Sequence, residues 1–505
     1  MQRFERASSA TIAVVCSAVG VLFMAVVAAT PGSPLTPALP ADTGPSGPFR
    51  WLAGAVGLDR IHGEVLAIVS IVAVVFSAGA FLLVLREAWR GNLPARLVIG
   101  LAVSYHVVVL FLPLLFSRDV YSYGIYGRIV SVHHANPYVA TPADFLGDPF
   151  SPYVGPKWFQ TPAVYGPGFV ALSAFLTAVV KSVSGLIVTF RLIAIGASLA
   201  TVALISWVTL RLWPERRAFA IAAFGMNPVV VFQSVGSGHN DLLVALSIAA
   251  ALALVIAKRE LPATAVLTLG ALIKFSAGVP LVLLVVVAVA GRERGKRFRA
   301  LLAHGAVVGG IGAAFAVPFM QTRDPTLGLW ELARHEAWLA PSGLFHRMLD
   351  AVSGDTLGVV VRFVFPALFL VALFVIARSL ARRAPDVTPT AQAAAWGWGL
   401  LFLMLLAPVL LPWYVAWALS LAWALPRVPR IALLGASTAL TVSQFTSEPT
   451  LFPHAYNANL WWGHWAVTPV VIALLVWAGL DFRRRVREGA PLEEQREVAA
   501  PAGHG

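Results

Sequence analysis

One acidic residue, Asp119, follows directly on an apolar stretch of membrane-spanning length. The stretch covers residues 97–116, and Arg118 immediately precedes the acid. Three tyrosines come within the next few residues: Tyr121, Tyr123 and Tyr126. A carboxylate can accept a proton, so an acid at a membrane boundary between a cation and aromatic rings is a candidate reactive group. The alternative is a loop carboxylate that is simply paired to Arg118, and the spacing alone favours neither interpretation.

A second group of polar residues closes the glycine-rich segment 236–241. Its two glycines let the backbone turn sharply, and the next apolar run then begins with His239, Asn240 and Asp241. Capping of the following helix is the structural interpretation, above all for Asn240, because Asn and Asp are common N-caps. An imidazole and a carboxylate beside Asn240 favour contact with a ligand.

Lys274 lies within an apolar run, where an ionisable side chain is costly and is a functional candidate by default. Snorkelling to the outer membrane surface is the alternative. A lysine at this depth also suits the phosphate of a membrane lipid, because its ammonium is a mobile point charge. A later polar loop holds Arg334, His335 and His346, and each of these, taken alone, is expected to be solvated.

The composition predicts the elements that must position these residues. The chain has 505 residues, of which 58% are hydrophobic and 12% are charged, and its mean hydropathy is +0.79. A soluble protein carries about a quarter charged residues. The apolar runs are continuous rather than alternating, which indicates membrane-spanning helices and excludes a membrane β-barrel.

The net charge of +13 does not indicate a nucleic-acid partner, because the Lys and Arg residues fall in short clusters between apolar runs. The single cysteine, Cys16, lies inside the first run, so neither a disulfide framework nor a cysteine metal site is predicted. The sequence has no zinc-binding spacing and no P-loop, so no metal is predicted and an ATP-driven pump is disfavoured.

The predicted fold is an all-α integral-membrane bundle with about fourteen spans (13–14), both termini cytoplasmic, and short helices in long periplasmic loops. The first run is kept as a span rather than a cleaved signal, and the short run 169–180 is expected to be an interfacial helix on the outer face. The predicted spans are residues 10–29, 64–85, 97–116, 186–210, 219–235, 242–257, 262–275, 278–290, 301–319, 357–376, 396–411, a short span before Arg427, 431–445 and 467–480.

The basic clusters alternate consistently along the chain, which places the polar loops 117–167 and 320–356 on the outer, periplasmic side of the cytoplasmic membrane. Loops this long usually carry function. The predicted division is an N-terminal transmembrane hairpin (1–96), a catalytic membrane core (97–299), a C-terminal transmembrane bundle (300–482) and a cytoplasmic polar tail (483–505).

Several motifs resemble one family. The run from Phe116 to Tyr123, with Gly127-Arg128 and Asn136-Pro137-Tyr138 downstream, is similar to the first catalytic loop of actinobacterial polyprenol-phosphate-mannose-dependent α-(1→6)-mannosyltransferases. These are the MptA/MptB-type enzymes of lipomannan synthesis, in the GT-C class of membrane glycosyltransferases. Further motifs recur in the same order: Tyr165-Gly166-Pro167, Asn227-Pro228, Gly238-His239-Asn240-Asp241 and Ile273-Lys274. The resemblance is clearest over residues 86–299, and the C-terminal third matches by its span pattern and by Pro412-Trp413-Tyr414.

The resemblance implies transfer of a sugar, usually with inversion, from a polyprenyl phosphate to a glycan or glycolipid acceptor at the outer face. It places Asp119 as the general base on the acceptor hydroxyl. The leaving phosphate needs cationic or N–H stabilisation, for which the candidates, in order, are Lys274, Arg118 and His239. The residues implied to bind sugar or acceptor are Asn240, Asp241, Tyr121, Tyr123, Arg128, Tyr165 and His335. Membrane lipid is the remaining partner, and no cofactor is implied beyond the lipid-linked donor.

Two spans, 10–29 and 64–85, precede the span that leads into the catalytic loop, so the sequence predicts an extra N-terminal hairpin relative to the basic GT-C plan. Two other functions stay open at this point. The same fold could use another polyprenyl-phosphate sugar, such as arabinose or glucose, or the chain could be a secondary transporter or lipid flippase. A transporter is disfavoured because its polar groups belong near the bilayer midplane, whereas here they gather at one face.

Overall fold

A computed structural model describes residues 2–40, 47–321, 326–334, 339–353, 355–446 and 451–494. Within these ranges the chain is helical and has no β-strand, which confirms the predicted all-α class. The helices of the first part are α1 (Gln2–Ala29), α2 (Pro48–Ala55), α3 (Gly63–Trp89), α4 (Ala95–Leu110), α5 (Asp119–Ser131), α6 (Pro167–Val179), α7 (Val183–Leu212), α8 (Arg217–Gly225), α9 (Asp241–Ile256), α10 (Glu260–Ile273) and α11 (Gly278–Ala290).

The helices of the second part are α12 (Arg294–Ala316), α13 (Leu329–Arg334), α14 (Pro341–Ser353), α15 (Asp355–Arg382), α16 (Pro389–Leu406), α17 (Ala416–Leu419), α18 (Arg427–Thr441), α19 (Pro453–Trp462) and α20 (Thr468–Glu488). Short 3₁₀ turns connect several of them, and π-helical segments occupy Val229–Val235 and Gly463–Val467.

Membrane-spanning helices are the dominant elements. Eight segments of the described chain are long and apolar enough to cross a membrane: Ser8–Ala29, Gly63–Trp89, Val183–Leu212, Pro214–Val235, Arg294–Phe319, Val360–Arg382, Pro389–Leu406 and Pro453–Glu488. Five shorter apolar helical segments accompany them: Ala95–Leu110, Pro167–Val179, Asp241–Ile256, Glu260–Ile273 and Phe275–Ala290. The chain is therefore a membrane protein with several helical spans, while the count of about fourteen and the division into domains stay predictions.

The helix that leads to Asp119 is shorter than the apolar run predicted. α4 ends at Leu110, and residues 111–118 are irregular. Within them Phe116 has a left-handed φ of 55°, and its N–H donates to the Leu35 carbonyl at 2.8 Å. Irregular backbone at membrane depth must find its hydrogen bonds inside the protein, and the segment after α1 supplies one of them. Asp119 then begins α5.

The predicted span 219–235 is divided in two. α8 ends at Gly225, and a π-helical segment begins at Val229. Pro228 lacks an N–H, so the helical hydrogen bonding is interrupted here. The Asn227 side chain makes two hydrogen bonds at the break: its Oδ1 accepts from the Val229 N–H at 3.1 Å, and its Nδ2 donates to Ser437 Oγ at 2.8 Å. π-helical turns are frequent at functional sites, and this one leads into the glycine-rich segment 236–241.

The short span predicted before Arg427 is not a helix of spanning length. Pro412–Val415 forms a 3₁₀ turn, α17 has four residues, and turns continue to residue 424. The segment packs inside the bundle against α9 and α16, and its large aromatic side chains are buried. A continuous apolar run has the same composition and the same lack of periodicity whether it faces lipid or the protein interior. The sequence pattern therefore could not separate a membrane span from a buried segment.

The predicted first outer loop, residues 117–167, takes part in a second hydrophobic cluster. Its members come mainly from α5, α6, α7 and the loop, with Leu114, Phe319 and Leu327 beside them, and the aromatic ones are Tyr121, Tyr123, Tyr126, Tyr138, Phe150, Tyr165, Phe169, Phe190 and Phe319. Asp148 ties the loop together, because its carboxylate accepts from Arg128 Nε at 2.8 Å and lies 2.7 Å from His133 Nε2. The loop is therefore a packed cap over one end of the bundle, not a flexible connection.

The described part of the second outer loop lies on this cap. Asn136 Nδ2 donates to the Phe319 carbonyl at 3.1 Å. Gly328, with a φ of +87°, approaches the Ala163 backbone so closely that a Cβ would lie 2.2 Å from the Ala163 carbonyl oxygen. Only glycine fits both the conformation and the space.

We predict that Gly127→Ala separates α5 from α6 and destabilises the cap. A Cβ at Gly127 would lie 2.5 Å from the Ser173 carbonyl oxygen, and backbone cannot move aside as a flexible side chain can. Overpacking of this kind costs about 1–3 kcal/mol, so thermal unfolding in detergent should begin at a lower temperature. Gly196→Ala, in α7, is the matched control, because nothing lies within 4 Å of its Cβ position. Equal melting temperatures for the two variants would contradict the close approach of α5 and α6.

Candidate active site

Asp119 and His239 meet at the junction of α5 with the glycine-rich segment. Asp119 Oδ2 lies 3.5 Å from His239 Nδ1, and the Tyr123 hydroxyl lies 3.2 Å from the same nitrogen. The Asp119 side chain is 18% exposed, while His239 is fully buried. Ser117 Oγ accepts from the Asp119 N–H at 3.1 Å and fixes the start of α5. The carboxylate is therefore held in place yet still partly exposed.

Burial gives these two groups unusual acid–base properties. Desolvation raises the pKa of the Asp119 carboxyl to about 6, although the charge of Lys274 and a hydrogen bond with Ser117 act in the opposite direction. Burial and the same lysine charge hold the pKa of His239 well below its usual range. At neutral pH Asp119 is ionised and His239 is a neutral hydrogen-bonding group. His239 thus offers hydrogen bonds and no positive charge for a phosphate.

The Asn240 side chain does not cap α9, so the capping interpretation is wrong. Asn240 occupies the N-cap position, but no side-chain capping bond forms. The residue is 3% exposed, and both its amide nitrogen and its amide oxygen lack a hydrogen-bond partner among the described residues. A buried amide left unpaired is costly, which indicates that a bound molecule or water completes it.

Lys274 is held inside the protein rather than extended to the membrane surface, so the snorkelling interpretation is also wrong. Its side chain is 8% exposed, and Nζ donates to Asp241 Oδ1 at 2.9 Å. Trp417 Nε1 donates to the same oxygen at 2.7 Å. The lysine Nζ lies 4.3 Å from the centre of the Tyr414 ring and 5.4 Å from that of Trp417, which adds cation–π attraction.

The loop 117–167 contacts the residues immediately before this lysine. The Gly166 N–H donates to the Ile273 carbonyl at 3.2 Å, and a Cβ at Gly166 would lie 2.2 Å from the Leu272 carbonyl oxygen. The glycine therefore lets the loop close on the end of α10, where α10 stops and Lys274 turns to extended backbone. The adjacent Tyr165 ring packs edge to face on Tyr123, with centroids 4.9 Å apart.

Three aromatic residues of the 412–417 turn complete the site, and the sequence did not single them out as site residues. Trp413 stacks on His239 with ring centroids 3.8 Å apart, and Tyr414 stacks on Trp417 at 4.3 Å. The Trp413 Nε1, His239 Nε2 and Asp241 Oδ2 atoms are buried without a partner in the described part of the chain. The motif Pro412-Trp413-Tyr414 was the available signal for two of the three, whereas Trp417 carried none.

An apolar cavity of about 220 Å³ opens beside the two stacked rings. Helices α13, α15 and α16 form its other walls, and its lining includes Phe275, Leu329, Leu332, Pro366, Phe369, Leu406, Tyr414 and Trp417. Tyr414 and Trp417 are shared between this cavity and the lysine, so an apolar chain in the cavity would begin next to the Lys274 ammonium.

The other predicted site residues lie apart from this centre or outside the described chain. Arg118 donates through Nη2 to the Ala38 carbonyl, and Tyr121 stacks on Tyr153 at 5.0 Å. Arg128 belongs to the Asp148 cluster of the cap. His335 lies outside the described residues. The structure thus brings together Asp119, His239, Asn240, Asp241, Lys274 and Tyr123, with Tyr165 beside them.

Comparison with known proteins agrees with this assembly of motifs. The family model of the MptA/B family, described as the N-terminal domain of α-(1→6)-mannopyranosyltransferase, matches residues 13–290. α-(1→6)-Mannopyranosyltransferase A of Mycobacterium tuberculosis is 29% identical over 394 residues, which cover 71% of this chain and 73% of that protein. A probable α-(1→6)-mannopyranosyltransferase of Mycolicibacterium smegmatis is 30% identical over 171 residues, 33% of this chain and 29% of its own length.

No solved structure matches this chain. The family match covers more than half of the sequence, and it includes α5, the glycine-rich segment and Lys274. These are the elements that carry the acid, the imidazole and the cation of the site. The chain belongs to the MptA/B family of α-(1→6)-mannopyranosyltransferases and is a membrane glycosyltransferase.

Proposed function

We propose that this enzyme transfers a mannosyl residue from a polyprenyl-phosphate donor to an α-(1→6)-mannan or glycolipid acceptor at the outer face of the cytoplasmic membrane. The α-(1→6)-mannopyranosyltransferase activity for which the relatives are named supports mannose as the sugar. One observation carries the proposal: the short segment 236–241 contacts both groups, with His239 3.5 Å from the Asp119 carboxylate and Asp241 2.9 Å from the Lys274 ammonium. A proton acceptor and a cation are thereby held by residues that are only two positions apart in the chain.

The lysine and the cavity suit the lipid end of such a donor. An isoprenoid chain is apolar and fits a cavity lined by Phe, Leu and Pro side chains. Its phosphate would then lie at Lys274, whose ammonium has three N–H groups and donates one of them to Asp241. Negative charge grows on the phosphate as the sugar leaves, and a fixed ammonium in a dry site stabilises that charge strongly.

The buried polar atoms of the site that lack a partner suit the sugar of the donor. The Asn240 amide and the Trp413 indole N–H are buried and unsatisfied among the described residues, and sugar hydroxyls supply both donors and acceptors. The buried, neutral His239 can donate to or accept from a hydroxyl but adds no charge there.

In this proposal Asp119 takes the proton of the acceptor hydroxyl. The acceptor oxygen forms a bond to the anomeric carbon while its proton passes to Asp119. The bond from that carbon to the phosphate oxygen breaks on the opposite side, and the phosphate leaves with the electron pair towards Lys274. Attack and departure on opposite faces invert the anomeric centre.

We predict that Asp119→Asn lowers kcat by on the order of 10²–10⁴-fold, the usual contribution of a general base. In the unaltered enzyme kcat/KM should fall as pH decreases through about 6, because the raised pKa lets the base protonate there, and this acid limb should be absent from the residual activity of the variant. The assay follows transfer from labelled polyprenyl-phosphate mannose to a mannoside acceptor in membranes, with arabinose and glucose donors in parallel.

Asp144→Asn is the matched control for that experiment. Asp144 lies in the same outer loop, but its carboxylate accepts from the Thr141 N–H at 2.7 Å and is solvent-exposed. It should keep both full rate and the acid limb. Full-rate transfer by Asp119→Asn would refute the role of Asp119 as the base. Faster transfer from a donor that carries another sugar would refute mannose as the donor sugar.

We predict that the double variant Lys274→Met/Asp241→Asn raises the apparent donor KM. Removing lysine alone would strand a buried carboxylate, which costs about 3–5 kcal/mol, so both charges are removed together and Asn keeps an acceptor for Trp417. The matched control is Arg430→Met/Glu494→Gln, which removes another largely buried ion pair that is not part of the site. A donor KM that is equal in the double variant and the unaltered enzyme would show that Lys274 does not bind the phosphate.

We predict that a cysteine at Leu146 is labelled by a membrane-impermeant thiol reagent in intact cells. Leu146 is 72% exposed in the first outer loop, and Cys16, the only native cysteine, is first replaced by serine. A cysteine at Val486, which is exposed near the end of α20, is the inner control and should react only after lysis. The reverse pattern would place the site on the cytoplasmic face.

A further inference from the structure

One buried arginine outside the site, Arg191 of α7, binds the backbone of both segments that carry the reacting groups. Its Nη1 donates to the Leu112 carbonyl. Its Nη2 donates to the Pro113 carbonyl at 2.9 Å and to the Gly236 carbonyl at 2.9 Å. The first two carbonyls belong to the irregular segment before Asp119, and the third belongs to the segment that leads to His239.

The two segments are also joined to each other at the same place. The Leu115 N–H donates to the Gly236 carbonyl at 3.3 Å, and Ser237 Oγ donates to the Leu115 carbonyl. Gly238, with a φ of +68°, lies against the backbone of α7, where its Cβ position is 3.6 Å from the Arg191 nitrogen. Arg191 is thus the centre of a hydrogen-bonded junction from which both Asp119 and His239 project.

The chemistry of this junction requires a guanidinium. Arg191 is 1% exposed, so its charge is offset by carbonyl dipoles in the protein interior rather than by water. Those carbonyls lie outside regular helix and need donors that the membrane interior does not supply. A planar guanidinium presents several N–H groups in fixed directions, whereas a lysine ammonium is a point charge on a flexible stem.

The neighbouring residue extends the same contact to α5. Phe190 packs edge to face on Tyr123, with ring centroids 5.4 Å apart, and Tyr123 in turn contacts His239. One turn of α7 therefore touches the backbone before Asp119, the backbone before His239 and the ring between them. Displacement of this turn would change the distance between Asp119 and His239.

We infer that Arg191 is a positioning residue for sugar transfer, setting the Asp119 carboxylate against His239 through the carbonyls of Leu112, Pro113 and Gly236. This inference rests on the proposed role of Asp119 as the base. Arg191 touches neither donor nor acceptor, so its effect is on the geometry of proton transfer and not on donor binding.

The test is Arg191→Lys, measured with the donor and acceptor assay above. Misplacement of a reacting group by about 1 Å can cost on the order of 10²-fold, so kcat should fall by roughly ten- to a hundred-fold with the apparent donor KM little changed. Arg430→Lys is the matched control, because Arg430 is also buried and donates to the Leu425 carbonyl at 3.1 Å, next to the pair it forms with Glu494. It should keep its kcat.

A double variant separates positioning from general stability. If Arg191 acts through Asp119, then Arg191→Lys should lower kcat much less in an Asp119→Asn background, where no base is left to position. An equal fall in both backgrounds, or a raised donor KM with unchanged kcat, would overturn the inference. Should Arg191→Lys fail to fold, Ser237→Ala removes one bond of the same junction and should give a smaller fall in kcat with the same dependence on Asp119.

The outcome for Asp119→Asn alone keeps the two proposals apart. Full activity of that variant overturns the base assignment, and with it this role of Arg191. A nearly inactive Asp119→Asn together with a normal Arg191→Lys leaves the proposed function standing and refutes the role of Arg191.

Discussion

The site depends on one constraint: backbone that leaves the helical path inside a membrane protein must find every hydrogen bond within the protein. Helices end or break around this site, at Leu110, Gly225 and Ile273, and the 412–417 turn lies among them. Each break frees N–H and C=O groups. Some of these groups pair with a neighbouring irregular segment, as the Leu115 N–H does with the Gly236 carbonyl, and others accept from Arg191. The polar centre exists because these interruptions satisfy one another.

The buried ion pair of Asp241 and Lys274 has a related function. Neither charge has access to bulk water, so each is tolerated because the other lies 2.9 Å away. The indole of Trp417 and the face of Tyr414 share in holding the pair. The ammonium is thereby fixed beside an apolar cavity, which a solvated lysine would not be. Several polar atoms around it have no partner among the described residues and are available to a polar ligand.

The sequence predicted the all-α class and singled out most of the polar residues that the structure gathers in the candidate site, because both leave a local pattern. Apolar runs identify spans, and the charged or polar residues that interrupt them, Asp119, His239 and Lys274, stand out against that background. The sequence-based prediction was wrong where the answer depended on which residues are buried in the folded protein. The run before Arg427 reads as a lipid-facing span but is core, and Asn240 reads as a cap but has no capping bond. Trp417 contacts Asp241 from far along the chain, a relation that no local pattern contains.

The size of the apolar cavity has a consequence for how a donor would arrive. At about 220 Å³ it is smaller than the roughly 300–1,000 Å³ of typical small-molecule sites. A long isoprenoid would therefore place only its first units inside and leave the remaining tail among the acyl chains. Capture would then be a two-dimensional process, governed by the mole fraction of donor in the membrane plane. Adding detergent or inert lipid at constant total donor would slow the enzyme by surface dilution.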